Sequence, residues 1–506
     1  MTKAKKIQRL LIANRGEIAV RVARAADALG IETVALFAPP DEGSLHVVSC
    51  TEAEAIHGET PSAAYLDIER ILAIAKSRNC DAIHPGYGFL SENPDFAQAC
   101  AQSGIIFVGP SPETISSMGK KIEARELMGK AEVPVIPGAT MEQDLGSLQE
   151  EAQAIGFPLL IKASAGGGGK GMRRVDAAEE LEAAVQGAQR EAQGSFGDST
   201  VYLERLVTPA RHVEVQIVGD AHGDIRHVGT RDCSAQRRYQ KVVEEAPAPG
   251  LPPEVAEALH QAALKAARAV DYVGAGTVEF IVGPELDFYF LEMNTRLQVE
   301  HPVTEEVYGV DLVNAQLRIA MGEKLEDILG EPTPRGVAFE CRIYAEDPAN
   351  NFLPSPGPLL TFIAPEGPGI RVDTGVRSQD DISPFFDPMI AKIIAYGPTR
   401  QAALARMGAA LKQTVILGTR TNLAFLADII KHPEFSKAAV DTGFLAREFS
   451  SWNHPSKEAP DEVFAAMSVH GALWDNKGSR AEGGPLGDSA SPWKPGAVSL
   501  KPKARS

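Results

Sequence analysis

The chain is predicted to combine α/β and α+β architecture. An N-terminal doubly wound domain on a parallel sheet leads into a central domain of paired strands around a glycine-rich loop, and a β-rich domain follows. Three observations carry this prediction. Short apolar runs alternate with helical patterns up to about Val108, the rhythm of a parallel sheet covered by helices. From about Ser116 that rhythm gives way to extended segments in pairs, and after Gly336 the chain is rich in strands and turns.

The elements follow in order. Leu10–Ala13 reads as a buried strand and Asn14–Gly16 as a turn. Ile18, Val22, Ala25, Ala26 and Leu29 then share one helical face, and Gly30 supplies the stop. Thr33–Phe37, Ala82–His84 and Ile105–Val108 are further strands, with a helix around Pro94–Ser103. The first turn, Asn-Arg-Gly-Glu, lacks G-x-G-x-x-G and gives no support to a dinucleotide site. The central region is predicted to hold strands at Pro158–Ala163, Met172–Val175 and Ser199–Glu204. Extended segments follow at His212–Val218, Asp224–Thr230, Gly276–Val282 and Phe288–Asn294. One long helix is expected near Arg400–Gln413. Beyond Ser451 an amphipathic piece, Val463–Trp474, precedes a Gly/Pro/Ser-rich tail, Asn476–Ser506, that reads as linker or disorder.

Composition narrows the function. The 506 residues are 44% hydrophobic and 23% charged, ordinary for a globular protein. A net charge of -17 disfavours non-specific binding to nucleic acid or an anionic membrane. Five scattered cysteines without a C-x-x-C pair fit neither a zinc ribbon nor a disulfide framework. No apolar run approaches the roughly 18 residues of a membrane span. The basic stretch Lys3–Arg9 runs directly into the first strand and leaves no room for a signal peptide. A reduced, cytoplasmic enzyme is expected.

Four features could carry chemistry. Gly166-Gly167-Gly168-Gly169-Lys170-Gly171 suits a loop whose amides close on a ligand, because four glycines are costly in backbone entropy. A flexible hairpin tip is the alternative. The loop is not a Walker A motif, since Gly171 follows Lys170. Lys162, ending the apolar run Pro158–Ile161 beside it, suits a phosphate.

Acids in phase on two strands form the second feature. Glu279 faces away from Val278, Phe280 and Val282, while Glu292 and Asn294 share a face. If the hairpin pairs Gly283 with Phe288, Glu279 lies opposite Glu292, about 4.5–5.5 Å apart at Cβ, where like charges repel. A bridging Mg²⁺ resolves that conflict; solvated acids on a sheet are the alternative. Third, Asn294-Thr295-Arg296-Leu297-Gln298-Val299-Glu300-His301-Pro302 offers a guanidinium for a small oxyanion and a carboxylate for a base. A surface i,i+4 pair of Arg296 and Glu300 competes with that reading, although Pro302 disfavours a regular helix there. Fourth, the cationic run Arg231–Lys241 reads as a solvated face or as a funnel for phosphate or bicarbonate.

Together these segments resemble the biotin carboxylase family of the ATP-grasp superfamily. The matching stretches are Ile12–Val20, Ile83–Asn93 (IHPGYGFLSEN), Lys162–Met172, Arg231–Gly250, Leu291–Thr304 (LEMNTRLQVEHPVT) and Glu340–Pro348 (ECRIYAEDP). The resemblance implies an N-terminal Rossmann-like domain at 1–115, an ATP-grasp domain at 116–335 with a mobile lid at about 133–206, and a C-terminal domain at 336–447. A connector and tail would fill 448–506. It implies ATP, Mg²⁺ (or Mn²⁺) and biotin as cofactors and carrier-bound substrate. Lys121 and Lys162 would hold the ATP phosphates with Gly166–Gly169 closing over them. Glu204 and Leu206 would line the adenine pocket, with His212 and Gln236 near the ribose and phosphates. Glu279 and Glu292, with Asn294 nearby, would bind metal. Lys241, Arg296, Gln298 and the Val299 backbone would hold bicarbonate, Glu300 would be its base, and Arg342 would stabilise the biotin enolate.

Two stretches depart from the family pattern: Tyr239 stands where many members carry histidine, and Phe37–Cys50 fits poorly. No Ala-Met-Lys-Met biotin acceptor is present. The carrier is therefore expected on another polypeptide or in a longer chain, and the resemblance implies a carboxyltransferase subunit and a homodimer as further partners. Val463–Trp474 and Ser491-Pro492-Trp493 resemble the connector of larger α subunits, which favours an acyl-CoA carboxylase. Another ATP-grasp ligase and a catalytically silent nucleotide-binding subunit are the rival readings.

Overall fold

The structure, a computed structural model, describes residues 6–140, 145–164 and 172–454. The predicted glycine loop and the segments beyond His454 lie outside the described residues. The chain divides into one compact unit, Met1–Trp452, and a second, Asn453–Ser506.

The N-terminal sheet is parallel, ordered β3-β2-β1-β4-β5, with β1 Arg9–Ile12, β2 Glu32–Phe37, β3 Glu52–Ala55, β4 Ala82–His84 and β5 Ile106–Phe107. Each predicted strand is present within a residue or two. The edge strand β3, Glu-Ala-Glu-Ala, was not legible in the sequence because it carries no apolar run. Its acids instead bind Arg9 and Arg78. The first helix, Gly16–Ala28, buries the predicted apolar face but also Glu17 and Arg21. Gly375 from the C-terminal region touches the helix start so closely that an added Cβ would stand 2.4 Å from the Glu17 amide nitrogen.

A separate antiparallel sheet, ordered β6-β9-β7-β8, contains β6 Gly138–Thr140, β7 Leu159–Ala163, β8 Arg173–Val175 and β9 Val201–Arg205. It packs against the helix Leu181–Phe196 through a core of its own, including Leu159, Ile161, Val185 and Leu203.

The largest sheet has eight strands. β10 Arg211–Gly219, β11 Ile225–Arg237, β12 Gln240–Ala246, β13 Gly274–Val282 and β14 Phe288–Asn294 join β15 Val337–Tyr344, Met389–Gly397 and Ile370–Thr374. β12 pairs directly with β15, so one sheet runs across the predicted boundary at 335/336.

The segment Asp224–Thr230 does not end at Thr230: β11 continues to Arg237. The cationic run is therefore not a solvated face. Arg231 is wholly buried, and Arg238 and Tyr239 form the hairpin turn with φ of 49° and 66°.

Candidate active site

A cavity of 1250 Å³ opens between the sheet β6-β9-β7-β8, the large sheet and the N-terminal domain. Its walls bring together Lys121, Lys162, Glu204, Leu206, His212, Gln236, Lys241, Glu279, Glu292, Asn294, Arg296, Gln298, Val299 and Arg342. Candidate residues from widely separated parts of the chain thus share one cavity. Glu300 lies behind its wall, fully buried.

The acid pair forms by a different route from the one expected. The hairpin pairs Val282 with Phe288, not Gly283 with Phe288, which by itself would put Glu279 out of register with Glu292. A β-bulge between Glu279 and Phe280 restores the match, and Glu279 does face Glu292. Asn294 Nδ2 donates to Glu279 Oε1 at 2.9 Å.

β10 adds the alternating polar residues His212, Glu214 and Gln216, all buried. His212 Nε2 lies 3.0 Å from Glu279 Oε2. Burial opposes a charge on that ring, yet Glu279 outweighs it and raises the pKa.

Lys241 is the electrostatic centre of the site. Its Nζ donates to Glu214 Oε2 at 2.6 Å, Glu279 Oε1 at 2.8 Å and Glu300 Oε1 at 2.6 Å. Burial disfavours the ammonium, but these three carboxylates push its pKa well above the usual lysine value. Arg231 closes the network from below, binding Glu214, Gln216, Thr277 and Thr304. Such a cluster is stable only because its charges are paired and its donors satisfied.

Glu300 accepts from Lys241 on one oxygen and from Arg342 Nη2 at 3.0 Å on the other. Burial would raise its pKa, but Lys241, Arg342 and Arg231 hold it well below the carboxylate range. Glu300 is therefore ionised and clamped between two cations. The regular helix starts only at His301, with Pro302 in its first turn. The surface pair of Arg296 with Glu300 does not form. Instead, Arg296 Nε donates to Glu92 Oε2 at 2.7 Å and its Nη2 to Asn294 Oδ1 at 2.9 Å. Gln298 Nε2 donates to Glu279 Oε1 at 3.1 Å, and Lys392 Nζ holds the Val299 carbonyl at 2.9 Å.

At the other end, Lys162 and Arg125 both bind the carboxylate of Glu204. Burial lowers the pKa of Lys121, and Glu292 only partly offsets this. Tyr239, 59% exposed, stands at the cavity rim.

Glu92, Glu214, Arg125 and Lys392 carry no role in the sequence analysis, although Glu92 lies within the stretch Ile83–Asn93. The alternation at 212, 214 and 216 was a legible signal for Glu214.

Residues 6–115 match the family description "Biotin carboxylase, N-terminal domain". Residues 120–328 match "Carbamoyl-phosphate synthase L chain, ATP binding domain", and 340–447 "Biotin carboxylase C-terminal domain". Biotin carboxylase 2 of Bacillus subtilis is 48% identical over 440 residues, covering 86% of this chain and 98% of that one. The chain belongs to the biotin carboxylase family. It carries the ATP-grasp fold of that family.

The mouse mitochondrial methylcrotonoyl-CoA carboxylase subunit alpha is 50% identical over 441 residues, and the chain spans 62% of its length. A solved relative is the biotin carboxylase domain dimer of Hydrogenobacter thermophilus 2-oxoglutarate carboxylase, in complex with MgADP, ADP and bicarbonate. It superposes with a TM-score of 0.86 at 41% identity, covering 89% of this chain and 100% of that one.

The donor set fits Mg²⁺. Among the described residues, metal-capable atoms gather at His212, Glu214 and Glu279 and at Glu214, Cys233 and Glu300, but in each group the Lys241 ammonium already binds two of the three. Glu279, Glu292 and Asn294 instead offer oxygen atoms on one face, as a hard cation requires. Burial and Glu279 push the Glu292 carboxyl up, a conflict that a cation would remove. Among the described residues no helix is long and apolar enough to cross a membrane.

Proposed function

We propose that this cavity carboxylates biotin through carboxyphosphate, with the site residues in the following roles. The observation that carries the reading is Lys241, bound at once to an acid of the metal face and to Glu300, with Arg342 on the far side of Glu300. Glu279, Glu292 and Asn294 would hold Mg²⁺, which supplies charge neutralisation at the ATP phosphates. Lys121 and Lys162 neutralise further phosphate charge; Lys162 reaches it by leaving Glu204. Glu204, Leu206, His212 and Gln236 surround the rest of the nucleotide.

Bicarbonate is held by Lys241, Arg296, Gln298 and the Val299 amide. As its oxygens draw the Lys241 donors away, the clamp on Glu300 loosens and the carboxylate becomes more basic. Glu300 takes the bicarbonate proton, a bicarbonate oxygen attacks the γ-phosphorus, and the bond to ADP breaks. Carboxyphosphate then splits at its C–O bond into CO₂ and phosphate. The phosphate removes the ureido proton of biotin, Arg342 stabilises the resulting anion, and that nitrogen attacks CO₂. A closing lid keeps water from the intermediate.

The similarity to a methylcrotonoyl-CoA carboxylase subunit alpha supports a place in an acyl-CoA carboxylase. There the chain would act as a homodimer on a biotinylated carrier, and a carboxyltransferase would use the product. A cytoplasmic setting fits the five unpaired cysteines.

ADP release by the purified chain with Mg²⁺-ATP and free biotin, with and without bicarbonate, tests the reading. Release that needs both supports it. Release indifferent to biotin points to another ATP-grasp reaction, and binding of ATP without release to a silent subunit.

A further inference from the structure

Behind Arg342, away from the cavity, lies a second pair of acids. Glu244 on β12 and Glu340 on β15 are direct cross-strand partners, and neither has any exposed surface. Arg342 Nε donates to Glu244 Oε1 at 2.6 Å. The other oxygen of Glu244 and both oxygens of Glu340 are buried without a hydrogen-bond partner. Three orphaned carboxylate oxygens in one register position are a large desolvation penalty if both groups are ionised.

The surroundings do not supply the missing donors. Lys392, on the neighbouring strand, directs its ammonium to Val299 O at 2.9 Å and Glu17 Oε1 at 3.1 Å. Arg342, two residues along β15, is engaged by Glu244 and Glu300. Just before the helix at 301–308, Glu300 adds negative charge, and burial keeps the His301 ring neutral.

We propose that Glu244 and Glu340 share one proton, carried by Glu340, and that this pair positions Arg342 for the biotin step. Opposed Cβ atoms lie about 4.5–5.5 Å apart, within the span of two glutamate side chains. A Glu340 hydroxyl donating to Glu244 Oε2 would give both groups a partner and leave Glu244 Oε1 for Arg342. Glu340 is then a positioning residue that acts through Glu244. Burial and the neighbouring acids push Glu340 well above the carboxylate range and Glu244 to about 7, consistent with one retained proton.

The inference rests on the role given to Arg342 above. Its test uses the full chain and the variants Glu340→Gln and Glu340→Ala. Infrared difference spectra of wild type against Glu340→Gln should show the C=O stretch of a protonated carboxyl group at neutral pH. In steady-state assays the wild-type kcat/KM for biotin should fall on the alkaline side as the shared proton is lost. Glu340→Gln, with a permanent N–H donor, should keep its biotin KM near wild type and lack that alkaline limb. Glu340→Ala should lose about 100-fold in kcat/KM for biotin through a misplaced Arg342. ATP affinity reports whether each variant is folded. No protonated-carboxyl band at neutral pH, or a Glu340→Gln enzyme as impaired as Glu340→Ala, would overturn the proposal. If wild type showed no biotin dependence, the proposed function would fail instead, and the infrared band would still decide the proton.

Discussion

Replacing Lys241 by methionine tests the electrostatic centre directly. The substitution keeps most of the side-chain volume but removes the one cation that binds Glu214, Glu279 and Glu300 together. Removing one partner of a buried ion pair costs about 3–5 kcal/mol. Here Arg231, His212 and Arg342 still compensate the three acids, so the loss should sit near 3 kcal/mol. Unfolding entropy of about 2.1 cal/mol/K per residue gives about 0.95 kcal/mol/K over the Met1–Trp452 unit. The melting temperature at pH 8 should therefore fall by about 3 °C. The sign of its pH dependence is fixed by Glu300. In wild type its depressed pKa contributes stability that is present above the ordinary carboxylate range and is lost as pH falls. In the variant one acid can take up a proton at moderately low pH and relieve the repulsion. The deficit against wild type should thus shrink between pH 8 and pH 5.5, as read by scanning calorimetry. A deficit that is equal at both pH values, or absent at both, would refute the account of Lys241 as a charge bridge.

Three further outcomes follow from the geometry. Glu300→Gln should lower bicarbonate-dependent ADP release by about 10²–10⁴-fold while ATP affinity, measured by titration calorimetry, stays close to wild type. Glu92→Gln removes a charged acceptor from Arg296 Nε; a charge-assisted hydrogen bond of about 1.5–3 kcal/mol predicts a rise of about 10-fold or more in KM for bicarbonate, seen in initial-rate assays. Gly375→Ala puts a methyl group against backbone at the start of the first helix and should destabilise the fold by about 1–3 kcal/mol, read from denaturant midpoints.

The sequence exposed those parts of the site that lie within one local pattern. Period-two alternation placed Glu279, Glu292 and Asn294 on one face, and the pairing of the two acids was read correctly from a register that was one residue off. The bulge that corrects it has no signature in Leu291, because an extra residue in one strand looks like any other strand residue. The cationic run failed for a related reason. A line of arginines reads as solvated unless its partners are known, and those of Arg231 come from β10, β13 and the helix at 301–308. Lys392 lay further still from any motif, since its target is the backbone carbonyl of Val299. Long-range pairing of this kind depends on sheet order, which no local period encodes. The N-terminal strands were legible because each is a short apolar run, whereas β3 is held at the edge by surface ion pairs.

The continuity of the large sheet across 335/336 has a consequence for recombination. β12 and β15 are hydrogen-bonded neighbours, and Glu244 on one binds Arg342 on the other. A crossover between two homologous genes at that linker would therefore join two halves of a single sheet and divide a buried ion pair between parents. The sheet β6-β9-β7-β8 keeps a separate core, yet the buried carboxylate of Glu204 ties it to Arg125 outside. Inheritance in this chain is thus least divisible where the connecting peptide looks most dispensable.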